Sequence, residues 1–424
     1  MKNMLPADTD VIVVGGGAAG MMAAIFAAER GEKVLLIEKN EKTGKKLYIT
    51  GKGRCNFTNS CETEDIFSQV VTNAKFLYSC IYGFSNHDVT EWFEQHGLRV
   101  KEERGGRMFP ASDKSSDVIR VLEKTCREKQ VTIALQTEVK EVLTSDDRTR
   151  VTGVRLRDGQ SIACRRVILA TGGVSYPSTG STGDGLRFAE KLGHTIVETR
   201  PGLTGLSTKE TDILAMQGLT LLNTAQTVRS TKNAGKKLLE GFGELLFTHF
   251  GVSGPTVLTV SSRLGDRLRN EPLLLTLDIK PALSPEELDR RVLREIDADG
   301  KKSMGNLAGR LLPKSMIPVL LGRASIDPTI RGLDLTREDR LRFVKEMKEF
   351  TITLTGTRGF NEAIITRGGV SVKDVNPQSM ESKIISGLYF AGEILDVDAL
   401  TGGYNLQIAW STGAAAGNGG RKIR

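Results

Sequence analysis

An apolar strand running through a glycine-rich turn into a helix of small residues, a second apolar strand behind it, and a return of the same texture near the end of the chain predict an α/β fold with a Rossmann-like parallel sheet. Between these ends the pattern changes twice, first to short β-branched runs and then to charged helical ones. Such a change predicts inserted segments rather than one continuous sheet. With 424 residues and 39% hydrophobic content, the chain can fill two or three packed domains.

Taken in order, residues 10–14 form the first strand, 18–30 the helix and 34–38 the second strand, a right-handed βαβ unit that requires a parallel sheet around it. Residues 39–61 read as a long polar, glycine-rich loop, a length that points to function. Residues 88–96 and 116–129 read as helices. Residues 138–143, 151–157 and 162–164, separated by polar turns, predict a three-stranded antiparallel meander, and the apolar run 167–171 returns to the parallel sheet. Residues 196–280 suit a smaller β-rich domain. Residues 284–348 are helical and charged, opened by Ser284 as a cap with Pro285 at the first helical position. The chain then returns through a strand-like stretch at 352–355, a last buried strand at 388–391 and a closing helix at 408–417. The expected domains are 1–194 with 352–424 for the sheet, 195–282 with 340–351 for the β-rich insert, and 283–339 for a helical insert.

Composition narrows the class. Only 5% of residues are aromatic whereas 46 are glycine, so tight turns and close backbone approaches carry the information. Five cysteines without a Cys-x-x-Cys pair suit a reducing compartment. No leader pattern precedes the first strand and no apolar run approaches the roughly eighteen residues of a membrane span, so a cytoplasmic location without membrane contact is expected. No metal site is expected. The balance of 59 Lys and Arg against 51 Asp and Glu, a net charge of +8, permits a polyanionic partner without requiring one.

Three glycine clusters carry chemistry. Gly15-x-Gly17-x-x-Gly20 follows a strand and opens a helix: Gly15 permits the turn, Gly17 lets backbone approach a pyrophosphate, and Gly20 lets helix and strand pack. Gly16, Ala18 and Ala19 complete this anion-binding turn, where free amides meet phosphate. Glu38, ending the next strand, is placed to accept from ribose hydroxyls and disfavours a 2′-phosphate. The second cluster, Ala170-Thr171-Gly172-Gly173 after the meander, marks a returning strand that passes a cofactor closely. The third is Gly392-Glu393, followed by Gly403-Tyr404-Asn405-Leu406 ahead of an alanine-rich helix whose N-terminus suits the negative edge of a reduced ring. Together they point to FAD rather than a nicotinamide cofactor as the resident group. No second Gly-x-Gly-x-x-Gly follows a strand, so NADH or NADPH, if it donates electrons, binds transiently. Lys39, Lys46, Gly53, Arg54, Cys55 and Val139 complete the expected cofactor-binding set.

Five blocks run through nearly the whole chain: Gly53-Arg54-Cys55-Asn56-x-Thr58-Asn59, Gly106-Arg107-x-Phe109-Pro110, Gly172-Gly173-x-Ser175-Tyr176-Pro177, Phe247-Thr248-His249-Phe250-Gly251 and Gly402-Gly403-Tyr404-Asn405-Leu406-Gln407. With them the sequence resembles the NAD(P)/FAD-dependent oxidoreductases of the BaiN/YhiN type, the HI0933-like flavoproteins. The resemblance implies a flavin domain of the two-dinucleotide-binding-domain type, an inserted β-barrel and a small helical insert. It also implies one of several activities: saturation of a conjugated double bond, in a steroid-like enone or in a uridine of large-subunit ribosomal RNA, or amine oxidation. Lys52 departs from the family, which usually runs a third glycine before Arg54.

Reduction of a C=C bond needs a proton donor beside the flavin. Cys55 is the first candidate, because Lys52 and Arg54 flank it and favour thiolate or an easily shared proton; a packing role in the loop is the alternative. His249 is the second, with a packed hydrogen-bonding role as its alternative. Tyr176 and Tyr404 are further donors, or cofactor walls. Between Lys39 and Arg54 stand six basic residues (Lys39, Lys42, Lys45, Lys46, Lys52, Arg54) and one acid, Glu41, a cluster that suits the FAD pyrophosphate, RNA phosphates or solvent. The basic tail Arg421-Lys422-Ile423-Arg424 is expected to fray. The leading expectation is a flavin-dependent C=C reductase acting on ribosomal RNA or its precursor; a small-molecule enone reductase or amine oxidase, and a non-redox FAD-holding assembly or RNA-binding module, stand beside it.

Overall fold

The computed structural model describes residues 9–233 and 235–421. Lys422, Ile423 and Arg424 of the basic tail lie outside the described residues. Contacts divide the chain into two units, Met1–Pro201 with Phe360–Arg424, and Gly202–Gly359.

The first unit is organised by a five-stranded sheet in the order Leu388–Phe390, Arg166–Leu169, Val11–Val14, Val34–Ile37, Thr132–Ala134, all pairs parallel. Its central strands, VIVV and VLLI, are buried throughout, as strands covered on both faces must be. Helix Ala18–Glu29 and the closing helix Tyr404–Asn418 pack backbone to backbone: a Cβ on Gly413 or Gly417 would stand 2.5 or 2.4 Å from the carbonyl oxygens of Ala19 and Ala23. Only residues without bulk permit that approach. The meander is present as Val139–Thr144, Val151–Leu156 and Ser161–Ala163, antiparallel.

The stretch 39–61 is more structured than its polarity predicts. It holds a short helix, Lys45–Ile49, a single turn at Thr50–Gly53 and the strand Thr58–Asn59, which pairs with Arg107–Pro110. A five-residue helix is too short for apolar periodicity to register.

The second unit is a closed six-stranded barrel: Leu206–Thr208, Gly251–Ser253, Lys237–Thr248, Thr220–Ser230, Leu273–Asp278 and Phe350–Thr357. Helices Pro285–Asp299 and Arg337–Lys348 share its hydrophobic core, Leu288, Val292, Phe343 and Val344 clustering with Leu275 and Phe350. Ser284 caps the first of them through a reciprocal bond pair with Glu287. The strand expected at 352–355 to lead back to the sheet is instead a barrel strand, paired with Leu273–Asp278 and Leu206–Thr208. Alternating Thr and apolar residues read alike in either setting, so the boundary expected at 352 falls near 360. At the other boundary, the strand beginning at Ile196 pairs with Ile365–Val370, which carries the first unit to 201 rather than 194. Among the described residues no helix is long and apolar enough to cross a membrane.

Candidate cofactor and active site

The glycine turn is built by exclusion. Gly15 has φ +108°, and a Cβ there would stand 2.5 Å from the carbonyl oxygen of Ala170. A Cβ on Gly20 would stand 1.8 Å from the carbonyl oxygen of Gly15, so helix and turn meet only through glycine. Gly17 differs, since no atom lies within 4 Å of a Cβ built on it. The first intrahelical bond is Met21 N to Gly17 O, and the amides ahead of Met21 therefore have no acceptor within the helix. Backbone N–H groups, the positive end of a twelve-residue helix and open space coincide at Gly17, a cradle that fits a diphosphate.

Glu38 closes one side. Its Oε2 accepts from Gly16 N at 2.8 Å and its Oε1 from Asn40 N and Nδ2 at 2.8 and 2.7 Å. Three donors fix the carboxylate beside the turn, with lone pairs remaining for ribose hydroxyls. Val139 heads the meander next to it, since Thr137 N donates to Glu38 O and Gln136 N to Asn40 O. Lys39 Nζ reaches across to Asp184 at 2.6 Å and Thr182 at 2.7 Å, tying the loop after Gly172-Gly173 to the same strand end.

The C-terminal cluster arrives at the same place. A Cβ on Gly392 (φ +76°) would stand 2.8 Å from Ala19 Cβ, so the third glycine block abuts the first helix. Glu393 is held by Lys46 Nζ at 2.6 Å, Ser175 Oγ at 2.9 Å and Thr366 N at 2.7 Å, while Lys46 also donates to Ser175 at 2.6 Å. Gly172 borders this group, a Cβ there standing 3.9 Å from Glu393 Oε2. Residues from four separated stretches thus form one polar cluster. Ser175 and Thr366 help to build it, and Asn40 holds Glu38 beside the turn, yet hydroxyl and amide residues in loops carry no periodic signal. Thr171 sits deeper, its buried Oγ1 directed at Gly185.

The second helix N-terminus, at Tyr404, is fastened to the Gly53–Asn59 block. Thr58 Oγ1 donates to Gln407 Oε1 at 2.6 Å, Trp410 Nε1 to Phe57 O at 2.8 Å, and Asn59 Nδ2 to Gly402 O at 3.0 Å. The first intrahelical bond is Gln407 N to Gly403 O, so the amides of Tyr404, Asn405 and Leu406 have no acceptor within the helix. Asn405 turns its side chain back to the chain before it, donating to Ala399 O at 2.7 Å and accepting from Ala399 N at 3.0 Å; what it can offer a cofactor is its amide. Asn56, within the Gly53–Asn59 block, has a buried Oδ1 without a partner among the described residues, an acceptor that awaits a donor.

Two expectations change here. Cys55 is fully buried with φ +61°, and burial pushes its thiol up to about 12. Its supposed activator Arg54 is engaged elsewhere, hydrogen-bonded to Glu103 and Asp113 and lying 4.3 Å over the Phe109 ring. Cys55 is therefore a neutral thiol, not a thiolate. Burial, ahead of the neighbouring Cys61 thiol, raises the Tyr404 phenol to about 12. His249 lies on the barrel unit, between Lys237–Thr248 and Gly251–Ser253, with its ring edge-on to Phe250.

Residues 9–419 match the family described as "HI0933-like protein Rossmann domain". The chain belongs to this family. The chain is similar to the 3-dehydro-bile acid delta(4,6)-reductase of Clostridium scindens, 32% identical over 96% of this chain and 97% of that protein. The ribosomal RNA dihydrouridine synthase of Escherichia coli K12 is 31% identical over 95% of this chain and 96% of that protein. Among solved structures, 3-ketosteroid-delta4-(5alpha)-dehydrogenase from Rhodococcus jostii RHA1 aligns with a TM-score of 0.54 at 17% identity, covering 99% of this chain and 98% of that one, a likeness of fold. This HI0933-like protein is an FAD-dependent oxidoreductase, and the cradle described above fits that cofactor.

Proposed function

We propose that this flavoenzyme saturates a conjugated C=C bond and that its substrate is a uridine of large-subunit ribosomal RNA. The observation that supports the reaction type is the pairing, in one unit, of two helix N-termini with free leading amides, one suited to a diphosphate and one to an electron-rich ring edge. With FAD held there, the site would have a hydride source for the C=C bond. The protein's part is to hold and to protonate. The turn at Gly15–Gly20 and Glu38 anchor the nucleotide end, the Lys46–Glu393–Ser175 cluster orients the middle, and the amides of Tyr404–Leu406 favour negative charge at the far edge.

For the proton, we favour Tyr404 over Cys55: it begins the closing helix, whose leading amides have no acceptor within the helix, whereas Cys55, equally protonated, is fully buried. Cys55 would need its loop to open. His249 stays a candidate to be tested by substitution. NADH or NADPH is the proposed electron donor, and a cytoplasmic location accompanies the RNA substrate.

The net charge of +8 favours a polyanion. A small-molecule enone is the second reading, favoured by the bile acid reductase, which is as similar as the RNA enzyme. Comparison of ribosomal RNA from a deletion strain with its parent decides between them. A uridine lighter by two hydrogens in the deletion strain, restored by the gene, is expected; unchanged RNA removes the first reading. Anaerobic bleaching of the purified yellow protein by NADH or NADPH tests the donor.

A further inference from the structure

Of the six basic residues between 39 and 54, four are answered within the first unit. Lys39 is answered by Asp184, Lys45 by Glu41, Lys46 by Glu393, and Arg54 by Glu103 and Asp113. Lys42 and Lys52 have no acidic partner among the described residues. Both are exposed, and the one acid of the segment, Glu41, already faces Lys45. Lys42 Nζ stands 5.3 Å from the centre of the Tyr48 ring, which is 51% exposed beside Ile49 at 41%. Lys52 holds φ +58° and ψ +39°, a left-handed conformation for which glycine is the unstrained residue. Lys52 thus presents an exposed ammonium with no acidic partner from a backbone conformation that costs free energy to hold.

We propose that Lys42, Tyr48 and Lys52 form a contact face for single-stranded RNA, the lysines meeting phosphates and Tyr48 stacking on an unpaired base next to the reacting uridine. The proposal rests on the ribosomal RNA reading and adds where the RNA lies. The geometry suits it, because Lys46 and Tyr48 project from nearly opposite sides of the single turn Lys45–Ile49. One side of that turn enters the cofactor cluster through Glu393 and the other presents the aromatic ring and Lys42. A strand crossing this short helix, about 10–12 Å wide with side chains, keeps its neighbouring nucleotides on the face while a flipped base enters the site. Tyrosine beside unpaired lysines recognises any base by its π-face and any backbone by charge.

The test uses the flavin-loaded protein and a uridine-containing single-stranded RNA oligonucleotide, with affinity measured over a series of salt concentrations. Lys42→Ala and Lys52→Ala together are expected to flatten the log–log salt dependence by about 0.7 per lysine. Tyr48→Ala is expected to weaken binding by about fivefold to a hundredfold with the slope unchanged. Lys52→Gly relieves the backbone while removing the charge, and must lose as much slope as Lys52→Ala. Retained flavin absorbance certifies the fold of each variant. Unchanged slope and affinity in all variants overturn the contact face, even when the wild type restores dihydrouridine to ribosomal RNA. A wild type that binds the oligonucleotide through these residues but restores no dihydrouridine overturns the substrate reading and keeps the face.

Discussion

The two helix starts of the cofactor unit use glycine to opposite ends. At Gly17 a Cβ would meet nothing within 4 Å, whereas at Gly403 (φ +100°) it would meet the carbonyl oxygen of Thr58 at 2.3 Å. The first glycine leaves room for a ligand. The second leaves room for the protein itself, allowing the closing helix to dock on the Gly53–Asn59 block through Thr58, Gln407 and Trp410. Glycine before a helix is thus not one signal but two, distinguished by what occupies the missing side chain's place.

That difference gives the largest expected effects. Gly403→Ala should cost about 3 kcal/mol or more, from the positive φ and the overlap with backbone that cannot move away, and should show as a lowered denaturation midpoint even in flavin-free protein. Gly17→Ala, at φ −86°, should leave the flavin-free midpoint within about 1 kcal/mol of wild type. It should nevertheless weaken FAD retention by about tenfold or more, read by equilibrium dialysis, since the methyl group enters the phosphate approach. Equal effects of the two substitutions on stability would erase the distinction.

Between these lie the polar cluster and the buried thiol. Lys46→Met leaves Glu393 to Ser175 and Thr366 alone; FAD affinity should fall by about 1–2 kcal/mol, with flavin spectrum and release rate as readouts. Cys55→Ala should lower stability by about 1 kcal/mol through lost packing and leave substrate turnover near wild type. In the intact protein a thiol reagent at neutral pH should modify Cys61 well before Cys55, Cys80, Cys126 and Cys164, all four of which are buried. Rapid loss of activity on labelling Cys55 would return it to the mechanism.

The contrast also separates what could be read from the sequence from what could not. Gly15, Gly17, Gly20 and Glu38 were legible because a strand, a turn and a helix give each a fixed geometric duty. Four strands of the parallel sheet were legible because their runs are mostly apolar; the edge strand Thr132–Ala134, three residues beginning with an exposed Thr, was not. Lys39 and Arg54 were recognisable as basic but not as engaged, since their partners Asp184, Glu103 and Asp113 lie far along the chain. Thiolate character at Cys55 failed for the same reason: charge next to it in sequence is turned away in space, and burial then governs the proton. Residues 352–357 of the strand Phe350–Thr357 were placed in the wrong unit because strand alternation records a buried face without naming the sheet that buries it.

The smallest expected effect concerns the clasp on the Gly53–Asn59 block. Arg54, first among its neighbours, holds the Glu103 carboxyl below its ordinary value of 4.5, and Lys101, followed by Arg54, holds Asp113 below 3.8. Both folded-state values are depressed, so the stabilisation is fully present above the ordinary carboxylate range and is lost as pH falls through the lowered values. Arg54→Met should therefore melt slightly below wild type from neutral pH down to about pH 5, and the gap should close on further acidification. Because these side chains are between 27% and 40% exposed, added salt should narrow the gap at neutral pH as well. A gap that persists unchanged at acid pH would assign Arg54's contribution to its packing on Phe109 rather than to its charge, and would make the loop an apolar clasp like the glycine joint at Gly403.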